Sequence, residues 1–164
     1  MKESIAMYEK ILVPIDGSAT SARGLQEAIQ LAKLTGARLK LLHVVDDISF
    51  ITSFEAGMGL TADVLQLLRE GGQQVLQDAS TQVRAAGLPV ETELLESYAG
   101  RVSDLVIDNA REWGAQLIVL GTHGRRGVRR VFLGSDAEQI LRMATVPVLL
   151  VRGTEVADTS ATSK

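Results

Sequence analysis

Short apolar runs alternate with amphipathic segments along most of the chain, and this pattern restricts the possible folds more than any other feature. The first run, KILVPID at residues 10–16, has strand length and is almost unbroken, as expected for a strand buried on both faces. Four similar runs follow, at residues 38–45, 90–96, 115–121 and 146–152. Segments with apolar residues at helical spacing separate them, at residues 19–36, 61–86, 101–113 and 135–144. Strict alternation predicts right-handed crossovers, so the fold class is α/β: an open, doubly wound, five-stranded parallel sheet with four helices.

The polarity of the strands predicts their order in the sheet. Residues 11–15 and 117–120 are apolar on both faces and therefore belong at the centre, whereas residues 90–96 alternate and suit an edge. The last run is apolar but contains Pro147, which is tolerated at an edge and poorly in the middle of a sheet. An apolar edge strand invites aggregation unless it is covered. We therefore expect a homodimer through the fifth strand, Val146 to Val151.

Composition excludes several classes of protein and site. The chain of 164 residues has no cysteine, which excludes disulfides and thiolate zinc sites, and its net charge of −3 argues against a nucleic-acid partner. No apolar run approaches the ~18 residues of a membrane span, and the first ten residues lack the apolar core of a signal peptide. We expect a cytoplasmic domain at residues 8–152, with an N-terminal extension at 1–7 and a disordered polar tail at 153–164. Residues 46–60 form either a lid or a poorly ordered excursion.

The ends of the predicted helices carry capping residues. Gly36 and Gly114 stand where helix C-caps belong, and Ser18 is the better N-cap candidate for the first helix. Ser135 and Glu138 form the S-x-x-E pattern of a capping box. Ser135 therefore serves either its own helix or a ligand.

Two turns follow the predicted central strands, and they are the candidate site. Ligands of open parallel sheets bind beyond the carboxyl ends of the strands, where the strand order reverses. The turn after the first strand contains Asp16, which is either a ligand contact or a turn and cap residue. The turn after the fourth strand is GTHGRRGVRRVFLGS, residues 121–135. Asp16 and Gly121 should face one crevice.

The second turn has the features of an anion site. Gly121 and Gly124 let backbone amides approach an anion closely, and Gly134 with Ser135 opens a helix whose unpaired N–H groups favour phosphate. Its arginines either supply charge to a phosphate or form a solvated loop face. Asp136 adds a negative charge there, and either stabilises the helix N-terminus or helps hold a magnesium ion. Neither a Walker A motif nor a Rossmann G-x-G-x-x-G is present.

The two histidines differ in what they indicate. His43 lies within a predicted strand, where a histidine is more often a satisfied core residue than a ligand. His123 lies in the glycine-rich loop and is the stronger candidate for a ligand contact.

At these residues the chain resembles the universal stress protein family, specifically its nucleotide-binding branch. That branch carries G-x2-G-x9-G-[ST], which is met here by Gly121, Gly124, Gly134 and Ser135. KILVPIDGS, LLHVVD and VPVLLVR are also similar to family segments, so the resemblance covers roughly residues 8–152. It implies a sheet of order 3-2-1-4-5 of the Rossmann-like, adenine nucleotide alpha hydrolase-like type. It also implies an adenine nucleotide ligand, ATP or else AMP or ADP, and dimers through the fifth strand.

The resemblance carries site roles to matching positions. It implies that Pro14, Asp16 and Val44 contact adenine or ribose and that Gly121 lies by the ribose. The residues around the phosphates would be His123, Gly124, Gly134 and Ser135, to which charge and proximity add Arg125 and Arg126. Asp136 departs from the small or apolar residue that often follows the serine. We expect an ATP-binding regulatory protein of the stress response that acts through an unidentified protein partner; the alternatives are a slow ATPase and a dimeric anion-binding module.

Overall fold

The structure is a computed structural model that describes residues 7–46, 62–98, 100–122 and 133–153. Strands and helices alternate along these residues. In chain order they are β1 Lys10–Pro14, α1 Ala19–Thr35, β2 Arg38–Asp46, α2 Ala62–Ala85, β3 Val90–Ser97, α3 Val102–Trp113, β4 Leu117–Gly121, α4 Ser135–Met143 and β5 Val148–Val151. The alternation predicted from the apolar runs is confirmed. Among the described helices, none combines the length and apolarity needed to cross a bilayer.

The five strands form one parallel sheet in the order β3-β2-β1-β4-β5. β1 is central, and its residues Ile11, Leu12 and Val13 are completely buried because helices cover both faces. The alternating strand β3 and the Pro147-preceded strand β5 occupy the two edges. The predicted strand order is confirmed, since strands apolar on both faces need cover on both sides.

Side chains of successive strand residues pack into two separate hydrophobic cores, one on each face of the sheet. Ile11 and Val13 of β1 point to the face covered by α1 and α2, where Leu25 and Ile29 of α1 pack against them. Leu12 points to the opposite face, where α3 and α4 provide the second core. This division follows from the period of two along a strand and places the first turn of α4 on the same face as even-numbered residues of β1 and β2.

Three predicted caps are present. Ser18 is the N-cap of α1, and its hydroxyl oxygen accepts a hydrogen bond from the Ser21 N–H at 3.1 Å. Gly36 and Gly114 end α1 and α3 with φ values of 74° and 71°, a left-handed conformation that glycine adopts without steric cost.

The capping box predicted for Ser135 and Glu138 is wrong. The N-cap of α4 is Gly134, without a side-chain cap hydrogen bond, and Ser135 is already the first helical residue. The physical reason is that the Glu138 N–H donates to the Gly134 carbonyl at 2.9 Å, so the helical hydrogen bonds begin at Gly134, whose own N–H donates to the Thr122 carbonyl at 2.8 Å. Glu138 instead pairs with Arg142, one turn along the exposed face of α4, at 3.3 Å.

A polar cluster joins β2, β3 and α3. The Lys40 ammonium lies 2.6 Å from the Glu93 carboxylate, and the buried Asn109 side chain donates to the same carboxylate at 2.8 Å. Lys40 also lies over the Trp113 ring, 5.7 Å from its centroid. These contacts lower the pKa of Glu93, with the Lys40 hydrogen bond the largest cause and the Asn109 hydrogen bond the second.

Candidate functional site

The end of β1 makes a tight turn into α1. The backbone N–H of Ile15 donates to the Leu42 carbonyl of β2 at 2.9 Å, so β1 stays paired up to the turn. Asp16 follows, and its Oδ1 accepts the Ser18 N–H at 2.9 Å, while Gly17 adopts φ 78°. Asp16 is therefore a turn residue, as one of its two predicted roles required, and its half-buried carboxylate is fixed at the carboxyl edge of the sheet.

Two backbone hydrogen bonds of Thr122, together called the Thr122–Gly134 clamp, hold the end of β4 at the same edge. The Thr122 N–H donates to the Val151 carbonyl of β5 at 3.0 Å, and the Thr122 carbonyl accepts the Gly134 N–H at 2.8 Å. The chain thus leaves the sheet at Thr122 and returns to the same residue before α4 begins. This clamp brings Gly121, Gly134 and Ser135 together.

The two turns pack directly against each other. A Cβ atom on Gly121 would lie 2.6 Å from both the carbonyl carbon and the oxygen of Thr20, and 3.0 Å from the Ser21 nitrogen. A Cβ atom on Gly24 would lie 3.2 Å from the Gly121 nitrogen. These neighbours are backbone atoms that cannot rotate away. The first turns of α1 and the end of β4 are therefore in close contact, and Asp16 and Gly121 share one end of the sheet.

Pro14 and Val44 lie at the same end, on the face of the sheet that carries α4. Pro14 is the last residue of β1 and pairs in register with Leu42, and Val44 is the next residue of β2 that points to that face. Both are half-buried, whereas Leu12 and Leu42 below them are buried. They place two half-buried apolar side chains at this end of the sheet.

The first turn of α4 carries two acidic residues, Asp136 and Glu138, and both are exposed. Negative charge stabilises a helix N-terminus but repels a phosphate brought to it. Within the described parts of the chain, no group of three or more His, Asp or Glu side chains could hold a metal ion.

Part of the predicted site lies outside the described residues. This part comprises four predicted phosphate contacts and the predicted lid, namely His123, Gly124, Arg125, Arg126 and residues 47–60. Nearly all of the predicted tail, 154–164, is outside them as well.

Sequence analysis missed two small residues that shape the site, Thr20 and Gly24. Both are on α1 and one helical turn apart, on the side that packs against the end of β4. Their spacing is the one available sequence signal, since small residues four apart permit close approach of a helix to a neighbouring backbone.

Comparison with known proteins identifies the family of the chain. Residues 7–152 match the model of the Universal stress protein family. Universal stress protein MJ0531 of Methanocaldococcus jannaschii is 34% identical to the chain over 151 residues, which cover 89% of the chain and 83% of that protein. The solved structure of MJ0577, from the same organism, has a TM-score of 0.78 at 25% identity and covers 91% of this chain and 99% of its own. A universal stress protein solved in complex with cAMP has a TM-score of 0.66 at 26% identity, covering 90% and 99%. The chain therefore belongs to the universal stress protein family, the family that its glycine spacing and strand segments resemble.

Proposed function

We propose that the chain binds an adenine nucleotide, ATP or its products ADP and AMP, in the crevice between the ends of β1 and β4. One observation carries the proposal: the Asp16 turn and the Thr122–Gly134 clamp meet at the point where the strand order reverses. The related structure with bound cAMP, an adenine nucleotide, supports the same ligand class. In the proposed function, nucleotide occupancy regulates a protein partner in the cytoplasmic stress response.

Each part of the crevice has a proposed role. Pro14 and Val44 supply apolar surface for the adenine or ribose, and the Asp16 carboxylate accepts hydrogen bonds from ribose hydroxyls. Gly121 lies beside the ribose, Gly134 lies by the phosphates, and Ser135 offers its backbone N–H group to them. The phosphate contacts His123, Gly124, Arg125 and Arg126 complete the proposed site.

The energy of binding cannot come from the helix N-terminus alone. A helix dipole contributes about 0.3 to 2 kcal/mol, whereas micromolar affinity needs about 8 kcal/mol. The acidic first turn of α4 reduces the phosphate contribution further. Burial of the adenosine against Pro14 and Val44, with the charged hydrogen bonds of Asp16, has to supply most of the difference.

Titration calorimetry with ATP and AMP tests the proposal. Asp16→Ala should weaken ATP binding about tenfold to a hundredfold, because a hydrogen bond to a charged group contributes about 1.5 to 3 kcal/mol. Asp16→Asn keeps an oxygen that can accept the Ser18 N–H and should lose less. Asp108→Asn, an exposed aspartate of α3 paired with Arg111, is the matched control and should bind like the wild type. A wild-type chain that binds neither nucleotide refutes the proposal.

Two further assays distinguish the proposed function from the two alternatives. Equal thermal stabilisation by ATP and by inorganic phosphate would favour the dimeric anion-binding module. Release of phosphate from ATP above background, abolished in Ser135→Ala, would favour the slow ATPase.

The proposal includes a homodimer through β5. This edge strand is only four residues long, and Leu149 within it is 40% exposed. Leu141 and Met143 of the preceding helix α4 are 47% and 42% exposed. An exposed apolar edge of this kind needs cover, and a second copy of Val146 to Val151 would provide it.

A further inference from the structure

A buried histidine of β2 supports the turn that carries Asp16. His43 is 8% exposed, and its Nδ1 lies 2.8 Å from the Ile15 carbonyl oxygen of β1. A carbonyl oxygen can only accept, so Nδ1 carries the hydrogen and donates it. This contact joins residues 28 positions apart in the chain.

The bonded carbonyl belongs to the peptide that links Ile15 to Asp16. The N–H of Ile15 is held by Leu42, and its carbonyl is held by the adjacent residue of the same strand, His43. The N–H and the carbonyl of Ile15 are therefore both held by hydrogen bonds before the chain turns. The direction of the Asp16 carboxylate depends on this peptide, because Asp16 is the next residue and has left the β-ladder.

Helix α2 limits where the His43 ring can lie. A Cβ atom on Gly72 of α2 would lie 2.7 Å from His43 Cδ2 and 3.1 Å from its Nε2. The ring is therefore packed between α2 and the end of β1. The absence of a side chain at Gly72 is what lets α2 approach so closely.

We infer that His43 is a positioning residue for the nucleotide site: packed against Gly72, it holds the Ile15–Asp16 peptide and thereby aims the Asp16 carboxylate. The inference rests on the proposed nucleotide function and extends it to a residue that touches no ligand. His43 contributes to affinity only through Asp16.

Two substitutions separate the hydrogen bond from the packing. His43→Leu removes the donor, whereas His43→Asn keeps an N–H donor near the position of Nδ1. Loss of the donor should weaken ATP binding about fivefold or more, within the range of couplings between residues of one hydrogen-bond network, and His43→Asn should restore much of it. Val83→Ala, in the buried far half of α2, is the control for general destabilisation and should bind ATP like the wild type. Equal affinity of the leucine variant and the wild type overturns the inference.

A double-mutant cycle tests the route through Asp16. In an Asp16→Ala background, His43→Leu should change ATP affinity by less than about twofold, because the carboxylate that it aims is gone. Undiminished loss in that background would show that His43 acts in another way.

Hydrogen exchange gives a readout that needs no nucleotide. The Ser18 amide donates to Asp16 Oδ1, so it should exchange about fivefold faster or more in His43→Leu, and close to the wild-type rate in His43→Asn and Val83→Ala. If the wild type binds no nucleotide but the Ser18 amide responds in this pattern, the proposed function fails and the positioning role stands. An unchanged Ser18 amide in His43→Leu refutes the positioning role.

Discussion

The adjacent glycines of α2, Gly71 and Gly72, should respond in opposite directions to the same substitution. Both lie in the interior of a 24-residue helix, where alanine is favoured over glycine by about 0.5 to 1 kcal/mol. A Cβ atom on Gly71 meets nothing within 4 Å. Gly71→Ala should therefore stabilise the fold and raise the Tm by about 1 to 4 °C.

At Gly72 the added methyl group would overlap side chains of the sheet. It would lie 2.7 Å from Leu94 Cδ1 and 2.7 Å from His43 Cδ2. The end of the leucine side chain can rotate away, but the imidazole is held by its hydrogen bond to Ile15. Overpacking of this kind costs about 1 to 3 kcal/mol, which exceeds the helix gain. Gly72→Ala should therefore lower the Tm.

The difference in Tm between the two variants measures the cost of overpacking at Gly72. Helix propensity is the same at both positions, so it cancels in the difference, and the two Tm values should differ by about 2 to 12 °C. Differential scanning calorimetry measures both under identical conditions. If Gly72→Ala is as stable as Gly71→Ala, α2 is not in tight contact with His43 and the reasoning is refuted.

Two further predictions concern pH and assembly. The pKa of Glu93 is lower in the folded chain, so its carboxylate stabilises the fold above the ordinary glutamate value of about 4.3, and this contribution is lost as the pH falls. Urea midpoints of the wild type and Glu93→Gln should differ at about pH 7 and converge towards about pH 3; a constant difference contradicts the assignment. Leu149→Glu should give a monomer in sedimentation velocity, whereas Leu34→Glu, at an 85% exposed leucine of α1, should leave the dimer intact. A monomeric wild type at high concentration refutes the proposed dimer.

Local pattern was sufficient to predict the architecture. Hydrophobic runs without alternation predicted that β1 and β4 are inner strands, and the alternating run at residues 90–96 predicted an edge. Short-range chemistry predicted the helix ends at Ser18, Gly36 and Gly114, because each cap depends only on residues within one turn. The capping box at Ser135 failed because the helical hydrogen bonds begin at Gly134, whose N–H is bonded to a distant residue, Thr122.

Contacts between distant segments could not be predicted from the local sequence pattern. The run at residues 90–96 predicted an edge strand but no partner for Glu93, which pairs with Lys40 and Asn109 because the β2–β3 register sets it opposite Leu42. His43 was expected to be a satisfied core histidine, which the structure confirms. Its partner was not predictable, because that depends on how β1 and β2 pair at their ends.

Packing and ligand binding make separate demands on the glycines of the family motif. Gly121 is needed wherever α1 packs this closely on the end of β4, with or without a ligand, since its missing side chain makes room for Thr20. Residues specific to the proposed ligand therefore have to lie at other positions. Gly134 is the N-cap of α4 and provides no side-chain cap, and the Asp16 carboxylate lies at the strand edge, where its Oδ1 accepts the Ser18 N–H. Under the proposed function, a chain with the same strand order and glycine spacing, but without an acidic residue at the position of Asp16, should keep this fold and bind an adenine nucleotide more weakly.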